Sequence, residues 1–456
     1  MTTPHQNAPP PALPVAPVDR WLAPLTRFLH IQAASGVVLL ACTAAALVLA
    51  NSAAAGWFAG LWKIPVSLSI GGLTLAGDVG HLIVNDGLMT IFFFVVGLEI
   101  KRELVHGELR DRRKALLPAI AALGGVVMPA AIYLALQWGE PGQRGWAIPM
   151  ATDIAFVVGC LALFGERVPF GLKILLLSLA IVDDLIAVLI IAFVFTETLA
   201  WSWLGFAGAG FALVYLFDLI GVRSVAVYVG IGTLIWLAFL QAGVHPTVAG
   251  VLLGLMTPAD AWIGPGTLAT VLKTESERAS REAAEPRKSR VDAANAQFAA
   301  REAVAPLQRL EDGLHPWVAF GIMPLFALAN AGVVLSLSSL TEPVAIAVAA
   351  GLAVGKPVGI ILVCVLAIRV GLTSLPDGVS WGMLVGGACL AGIGFTMALF
   401  LNGLAFPAAA FPEAEAAGKI GTLAGSAVSA VLGAIVLLIA VRRRDAIAPL
   451  PGQTGQ

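Results

Sequence analysis

Charge is what this sequence has least of. Of 456 residues, 27 are Lys or Arg and 28 are Asp or Glu, a charged share of 12%, about half of the roughly 25% that a soluble globular chain carries. A soluble chain of this length would need polar surface for two or three domains, and a sequence that is 59% hydrophobic cannot supply it. The net charge of −1 excludes the basic surface of a nucleic-acid binder. Cysteine is scarce as well. Cys42, Cys160, Cys364 and Cys389 all lie in apolar runs, where they read as small buried hydrophobes and not as a disulfide framework. The phosphate-cradling G-x-x-x-x-G-K-[ST] loop of an ATP-driven pump is missing, Gly355-Lys356-Pro357 being no substitute. A GxGD motif is missing too, which argues against an intramembrane aspartyl protease. The first twenty residues hold six prolines and no apolar run of signal-peptide length, so residues 1–29 read as a disordered, uncleaved tail.

Long apolar runs are what the sequence has instead. They lie near 30–51, 81–100, 115–137, 146–164, 172–196, 201–220, 223–240, 243–257, 314–335, 343–368, 379–404 and 419–441, each near the ~17–25 residues that cross a hydrocarbon core as a helix. Continuous runs of this length exclude barrel strands, and backbone groups must be satisfied inside lipid. The fold class is therefore an all-α polytopic membrane protein with twelve transmembrane helices. With the N-terminus inside, 23 Lys/Arg fall on cytoplasmic segments, including the Arg442-Arg443-Arg444 run, while only Lys63, Arg144 and Lys419 fall outside. That asymmetry places both termini, with the 442–456 tail, in the cytoplasm. Residues 64–76 alternate apolar and polar about Gly71-Gly72, the signature of an external β-hairpin. Such a hairpin pairs a homodimer edge to edge or lies flat on the membrane. Residues 258–312, mostly polar with balanced charge from Lys273 onward, read as a long cytoplasmic linker, partly helical or disordered, and not as a second domain.

Few ionisable residues interrupt the spans, and each costs at least ~2.5–3.5 kcal/mol on insertion scales. Asp183 and Asp184 are adjacent in the fifth span. Two carboxylates in a low dielectric cannot both ionise cheaply, so a proton and a metal cation would compete for them. Being consecutive, they point ~100° apart on a helix, which does not suit two carboxylates closing on one scissile bond. Asp153 follows Pro149 and Thr152 in the fourth span, where proline should break the helix or where the aspartate simply caps a helix end. Gly392 and Gly394 interrupt the eleventh span or allow close packing there. Matching breaks suggest two repeats, spans 3–5 and 10–12, around a midplane transport site. Lys356, central in the tenth span, needs a carboxylate partner from Asp183, Asp184 or Asp153. Glu99, Arg102, Glu103, Glu311, His315 and His245 lie near span ends, as pH-responsive groups or as ordinary solvated helix ends. Asp86 lies near the outer start of span two, either lining a funnel or solvated.

GLEIKREL (97–104), MATDIAF (150–156), LAIVDDL (179–185), GVHPTVAG (243–250), LHPWVAF (314–320), GKPVGI (355–360) and AGIGFTMALF (391–400) together resemble the NhaA family of bacterial sodium/proton antiporters over about residues 20–441. The resemblance implies inverted repeats with a midplane site, an architecture of which this family is a known example. It implies electrogenic, pH-activated export of Na⁺, and of Li⁺, against entering H⁺ in the inner membrane, with no enzymatic activity and no cofactor. It makes Asp183 and Asp184, with Thr152, the site of the transported ion and proton. It assigns Thr152, Asp153, Gly392 and Gly394 to the crossing of broken helices and Lys356 to Asp183. It also places Glu99, Arg102, Glu103, Glu311 and His315 in a pH-responsive inner region, His245 remaining a further candidate, and puts the hairpin at a dimer contact. The Pro-rich tail and the long 258–312 loop depart from the family pattern. A sodium-coupled symporter of an organic solute is the competing expectation, distinguished by a required co-substrate.

Overall fold

A computed structural model describes residues 32–447 except 71–72, 197–198, 223, 282–285 and 336. The expected N-terminal tail, the Gly71-Gly72 turn and the end of the C-terminal tail thus lie outside the described residues. Helix α1 (Gln32–Ala50) is followed by a short α2 (Ala55–Trp62), the pair bent by 119°. Strands β1 (Pro65–Ile70) and β2 (Leu73–Asp78) pair antiparallel, from Pro65 opposite Asp78 to Ile70 opposite Leu73, as the alternation predicts. Next come α3 (Val79–Val105), wide-turned over Val79–Leu88, and α4 (Arg112–Gln137).

The fourth expected span is broken. A 3₁₀ segment, Pro141–Met150, leads through an extended Ala151–Asp153 into α5 (Ile154–Leu163) at a 44° bend. Then follow α6 (Phe170–Val194), α7 (Trp201–Leu219), α8 (Val225–Ala242) and α9 (Thr247–Met256). The 258–312 segment is more ordered than its polar composition suggests. It folds into two helices, α10 (Pro265–Arg281) and α11 (Pro286–Glu302), and the start of α12 (306–330). After α13 (Pro343–Arg369), the second break separates α14 (Trp381–Ala391) from α15 (Phe395–Ala405) at 42°. The closing α16 (Pro412–Ile447) has Glu413 and Glu415 in its first turn and Arg444 in its last, matching the helix dipole at both ends. Its 36 residues reach ~54 Å, so the expected tail at 442 continues as helix to 447.

The helical, multi-pass architecture agrees with the sequence reading. Seven helices are long and apolar enough to cross a bilayer, and three bent pairs bring the number to ten among the described residues. The remaining two expected segments are the short α9 and the α12 run, whose first turns are polar. Contacts between loops keep the expected sidedness. Asn51 Nδ2 donates to Val333 O at 2.9 Å and Ala200 N to Ala242 O at 3.0 Å, joining loops read as external. Arg444 Nη2 donates to Arg167 O at 2.9 Å, joining segments read as internal.

Burial sorts the helices into centre and periphery. The apolar window of α6 is 61% buried, whereas those of α7 and α8 are 11% and 22% buried. Phe206, Tyr215, Leu219 and Leu234 on the outer pair are exposed, as a lipid-facing surface requires. Around α6 the backbones approach closely on glycine. A Cβ at Gly124 of α4 would run into the Gly359 carbonyl of α13, and a Cβ at Gly359 into that of Gly124.

Candidate functional site: a crossing of two broken helices

The two breaks meet. Main-chain N–H of Asp153 donates to Ile393 O at 2.7 Å, so the extended segments cross and satisfy each other where neither helix can. Four helix ends converge there, and their orphan groups need partners in a region without water. Asp153, 1% exposed, serves two of them. Its Oδ1 accepts from Phe156 N at 3.2 Å, capping α5. Its Oδ2 accepts from Thr396 N at 3.0 Å and from the Thr396 hydroxyl, capping α15. One carboxylate thereby faces two positive helix ends. Capping and crossing, taken as alternatives in the sequence, are one arrangement.

The carbonyl ends are met by donors. Buried Lys356 donates through Nζ to Met150 O, the end of the 3₁₀ segment. The Thr152 hydroxyl lies 3.1 Å from Ala391 O, the end of α14, and 2.7 Å from Asp183 Oδ2. Lys356 Nζ stands 2.8 Å from the same Asp183 oxygen. Of the three carboxylates open as its partner, the structure pairs Lys356 with Asp183 alone.

Gly392 and Gly394 have ordinary negative φ, −70° and −92°, so positive φ does not explain them. Closeness does. A Cβ at Gly392 would strike Leu352 O and Ser429 Oγ, and one at Gly394 would meet Leu352 Cδ2 and Ala151 O. The span breaks at these glycines as expected, and close packing is what requires glycine there, so both alternatives hold.

Two oxygens are left over. Asp183 Oδ1 and Asp184 Oδ1 are buried without a hydrogen-bond partner, although buried polar atoms are rarely left so. Asp184 is 2% exposed and feels Asp183, Glu99 and Asp153 as like charges and Lys356 as an opposite one. An all-oxygen set of Asp183, Asp184 and Thr152 suits a hard cation as cargo. No group of three His, Cys, Asp or Glu among the described residues forms a site for a resident metal ion.

A family model described as Na⁺/H⁺ antiporter 1 matches residues 26–437. The chain belongs to the Na⁺/H⁺ antiporter 1 family. Relatives named Na⁺/H⁺ antiporter NhaA include one from Rhodopirellula baltica, 49% identical over 427 residues, 93% of this chain and 96% of that protein. One from Rhizobium meliloti is 48% identical over 439 residues, 95% of this chain and 98% of its own. NhaA 2 of Vibrio vulnificus is 44% identical over 428 residues, with 93% and 94% covered. These matches run nearly end to end.

Five of the six remaining candidates in this antiporter-family chain form a second cluster at the far end of α3. Arg102 pairs with Glu311 through Nη1 and with Glu103 through Nη2 at 3.5 Å, and His315 Nδ1 lies 4.0 Å from Glu99 Oε1. Burial pushes the Glu311 carboxyl above its ordinary value against the pull of the Arg102 guanidinium. Beside it a cavity of about 590 Å³, lined by Glu103, Lys114, Leu177 and Ser178 among others, runs along α6. Ser178 is six residues from Asp184, ~9 Å along a helix. His245 does not join this cluster. It meets Asp86 at the opposite end of α3, sixteen residues or ~24 Å away from Arg102.

Sequence reasoning passed over Thr396, the Met150 and Ala391 carbonyls and Ser426, whose Oγ accepts from Phe395 N at 3.1 Å. Thr396 stands in the quoted AGIGFTMALF motif and is the same kind of buried hydroxyl as Thr152, which was the available signal.

Proposed function

We propose that this protein is a multi-pass Na⁺/H⁺ antiporter of the bacterial inner membrane, a transporter and not an enzyme. One observation carries the reading. Asp183 is tied to Lys356 and Thr152 while Oδ1 of Asp184 beside it is buried with no hydrogen-bond partner among the described residues, at the crossing of two broken helices. An unpaired buried carboxylate is costly as an anion. It therefore takes a proton or a cation, and the two exclude each other.

In the proposed cycle Asp183 and Asp184 lose protons at alkaline internal pH, and Na⁺, or Li⁺, enters from the cavity beside α6 and binds them with Thr152. The repeats, α4–α6 against α13–α16, move relative to each other, and protonation from outside releases the ion. Asp153 holds two of the crossed helix ends and Lys356 a third while this occurs, and Gly392 and Gly394 let the second break pack against α13. Entry of more than one proton per Na⁺ makes transport electrogenic, adding ~2.3 kcal/mol per charge per 100 mV. Both termini and the α10–α11 segment lie inside by the distribution of Lys and Arg. The Glu99, Arg102, Glu103, Glu311 and His315 cluster then borders the inner entrance as the pH-responsive region. The hairpin, one sheet with free edges, supplies the contact of a homodimer. Symport of an organic solute finds no support in relatives that are named antiporters.

Everted vesicles acidified by respiration test the reading. Added Na⁺ should collapse the pH gradient for the wild type and leave it intact for Asp184→Asn. A wild type without response, or a variant with a full one, refutes it.

A further inference from the structure

Asp86 is the other buried carboxylate of α3, with a side chain only 4% exposed. Its two oxygens face two imidazoles, Oδ2 lying 3.1 Å from His81 Nδ1 and Oδ1 3.5 Å from His245 Nε2. These are its only ion-pair partners among the described residues. His81 is open to solvent at 73%, whereas the His245 side chain is 12% exposed. On its inner side, His245 Nδ1 lies 2.7 Å from Thr247 Oγ1, and its ring stands edge-on to Phe400 at 5.3 Å. Phe400 is one turn beyond Thr396 on α15, the residue that holds Asp153. A line of side-chain contacts thus runs from exposed His81 through Asp86 to His245, which packs against Phe400 on the helix that begins at the crossing.

The surroundings hold the carboxylate in place without neutralising it. Its main-chain carbonyl accepts from Thr90 Oγ1 and, at 3.1 Å, from Trp236 Nε1 of α8. Asn85 and Asn330 of α12 bond side chain to side chain next to it. Asp78, at the end of β2, is the other acid acting on His81, and its Oδ1 accepts from His81 N at 2.7 Å. A buried carboxylate whose partners are imidazoles is neutralised when the group as a whole holds one added proton. A metal ion is not the alternative, since no trio of His, Cys, Asp or Glu among the described residues could hold one.

We propose that His81, Asp86 and His245 form a proton-holding station at the outer mouth, through which incoming protons reach the crossing. A proton from outer water binds His81 Nε2, making an imidazolium paired with Asp86. The Nδ1 proton passes to Asp86 Oδ2, and rotation of the neutral acid about its Cβ–Cγ bond turns that O–H towards His245 Nε2, which takes the proton. His81 and Asp86 return to their starting charge and the cationic charge moves inward, only N–H and O–H bonds being made and broken. The station rests on the antiport reading and on the sidedness proposed with it.

Proteoliposomes of uniform orientation, loaded with ²²Na⁺ and with pH set separately on each face, test it. Asp86→Asn should raise the outer proton concentration for half-maximal exchange about tenfold, with the inner Na⁺ KM within about twofold of wild type. His81→Gln, at an exposed position where misfolding is no concern, should raise the same outer value about threefold. Unshifted outer profiles in both variants, or equal shifts on both faces, overturn the station and leave antiport standing. A wild type that exchanges no Na⁺ for protons overturns both.

Discussion

The crossing and the inner mouth are both built from carboxylates and bases, yet they differ in how tightly each charge is held. At the crossing Asp153, Asp183 and Lys356 are at most 1% exposed and bound to donors or acceptors from separate helices. At the mouth the Arg102 side chain is 39% exposed and that of His315 is 60% exposed. In the first region each group depends on a partner it cannot replace with water; in the second, water can stand in for a partner lost by Arg102 or His315, though not by buried Glu311. Charge type alone therefore does not say how much a residue matters. The availability of solvent does.

The largest effect should come from breaking the pair at the centre. Lys356→Met leaves Asp183 with Thr152 alone and should cost ~3–5 kcal/mol, the loss seen when one member of a buried pair is removed. Thermal unfolding in detergent would measure it. The double variant Asp183→Asn/Lys356→Met should recover much of the loss, giving a large coupling energy. Additive losses would mean that the pair is not the closed unit described.

Thr396→Val comes next. It strips the hydroxyl from Asp153 Oδ2 but leaves the main-chain donor, so the same melt should fall by ~1–3 kcal/mol and Thr396→Ser should restore it. A null result would place Asp153 among the mouth-like, water-compensated groups.

Glu311→Gln should have the smallest effect, with a stability change within ~1 kcal/mol that depends on pH. Burial raises the Glu311 carboxyl in the folded protein, so folding favours its protonated form. The stability it contributes is complete below the ordinary value of 4.5 and fades as pH climbs through the raised folded value. The wild type should thus lose ground to Glu311→Gln as pH rises from 4.5, measured as the difference in melting temperature across pH. The opposite slope would mean that Arg102 outweighs burial.

How far the site was legible follows the same division. Asp153, Asp183, Asp184 and Lys356 announced themselves because a charge inside an apolar run is improbable without a role. Thr396 was hidden, since a hydroxyl costs far less in such a run than a charge does. The Met150 and Ala391 carbonyls were hidden completely, because every residue has one and only a break leaves it unpaired. The proline before Asp153 located the first break. The glycines located the second by a different physics, contact with Leu352 and not backbone freedom. His245, outward-facing in the topology read from the sequence, meets Asp86 at the end of α3 opposite Glu311 and His315.

By itself, then, the sequence determined that the chain is a helical membrane protein, where its apolar helices run and which few charges lie deep. Hydrophobic periodicity and the cost of charge in lipid are local enough to be read along a chain. The tertiary structure alone decided that Lys356 pairs with Asp183, that Asp153 caps two helices at once, that Oδ1 of Asp184 is left without a hydrogen-bond partner among the described residues, and that His81 and His245 share Asp86. Those are choices among partners distant in sequence, settled by which backbones can approach closely enough to exclude water between them.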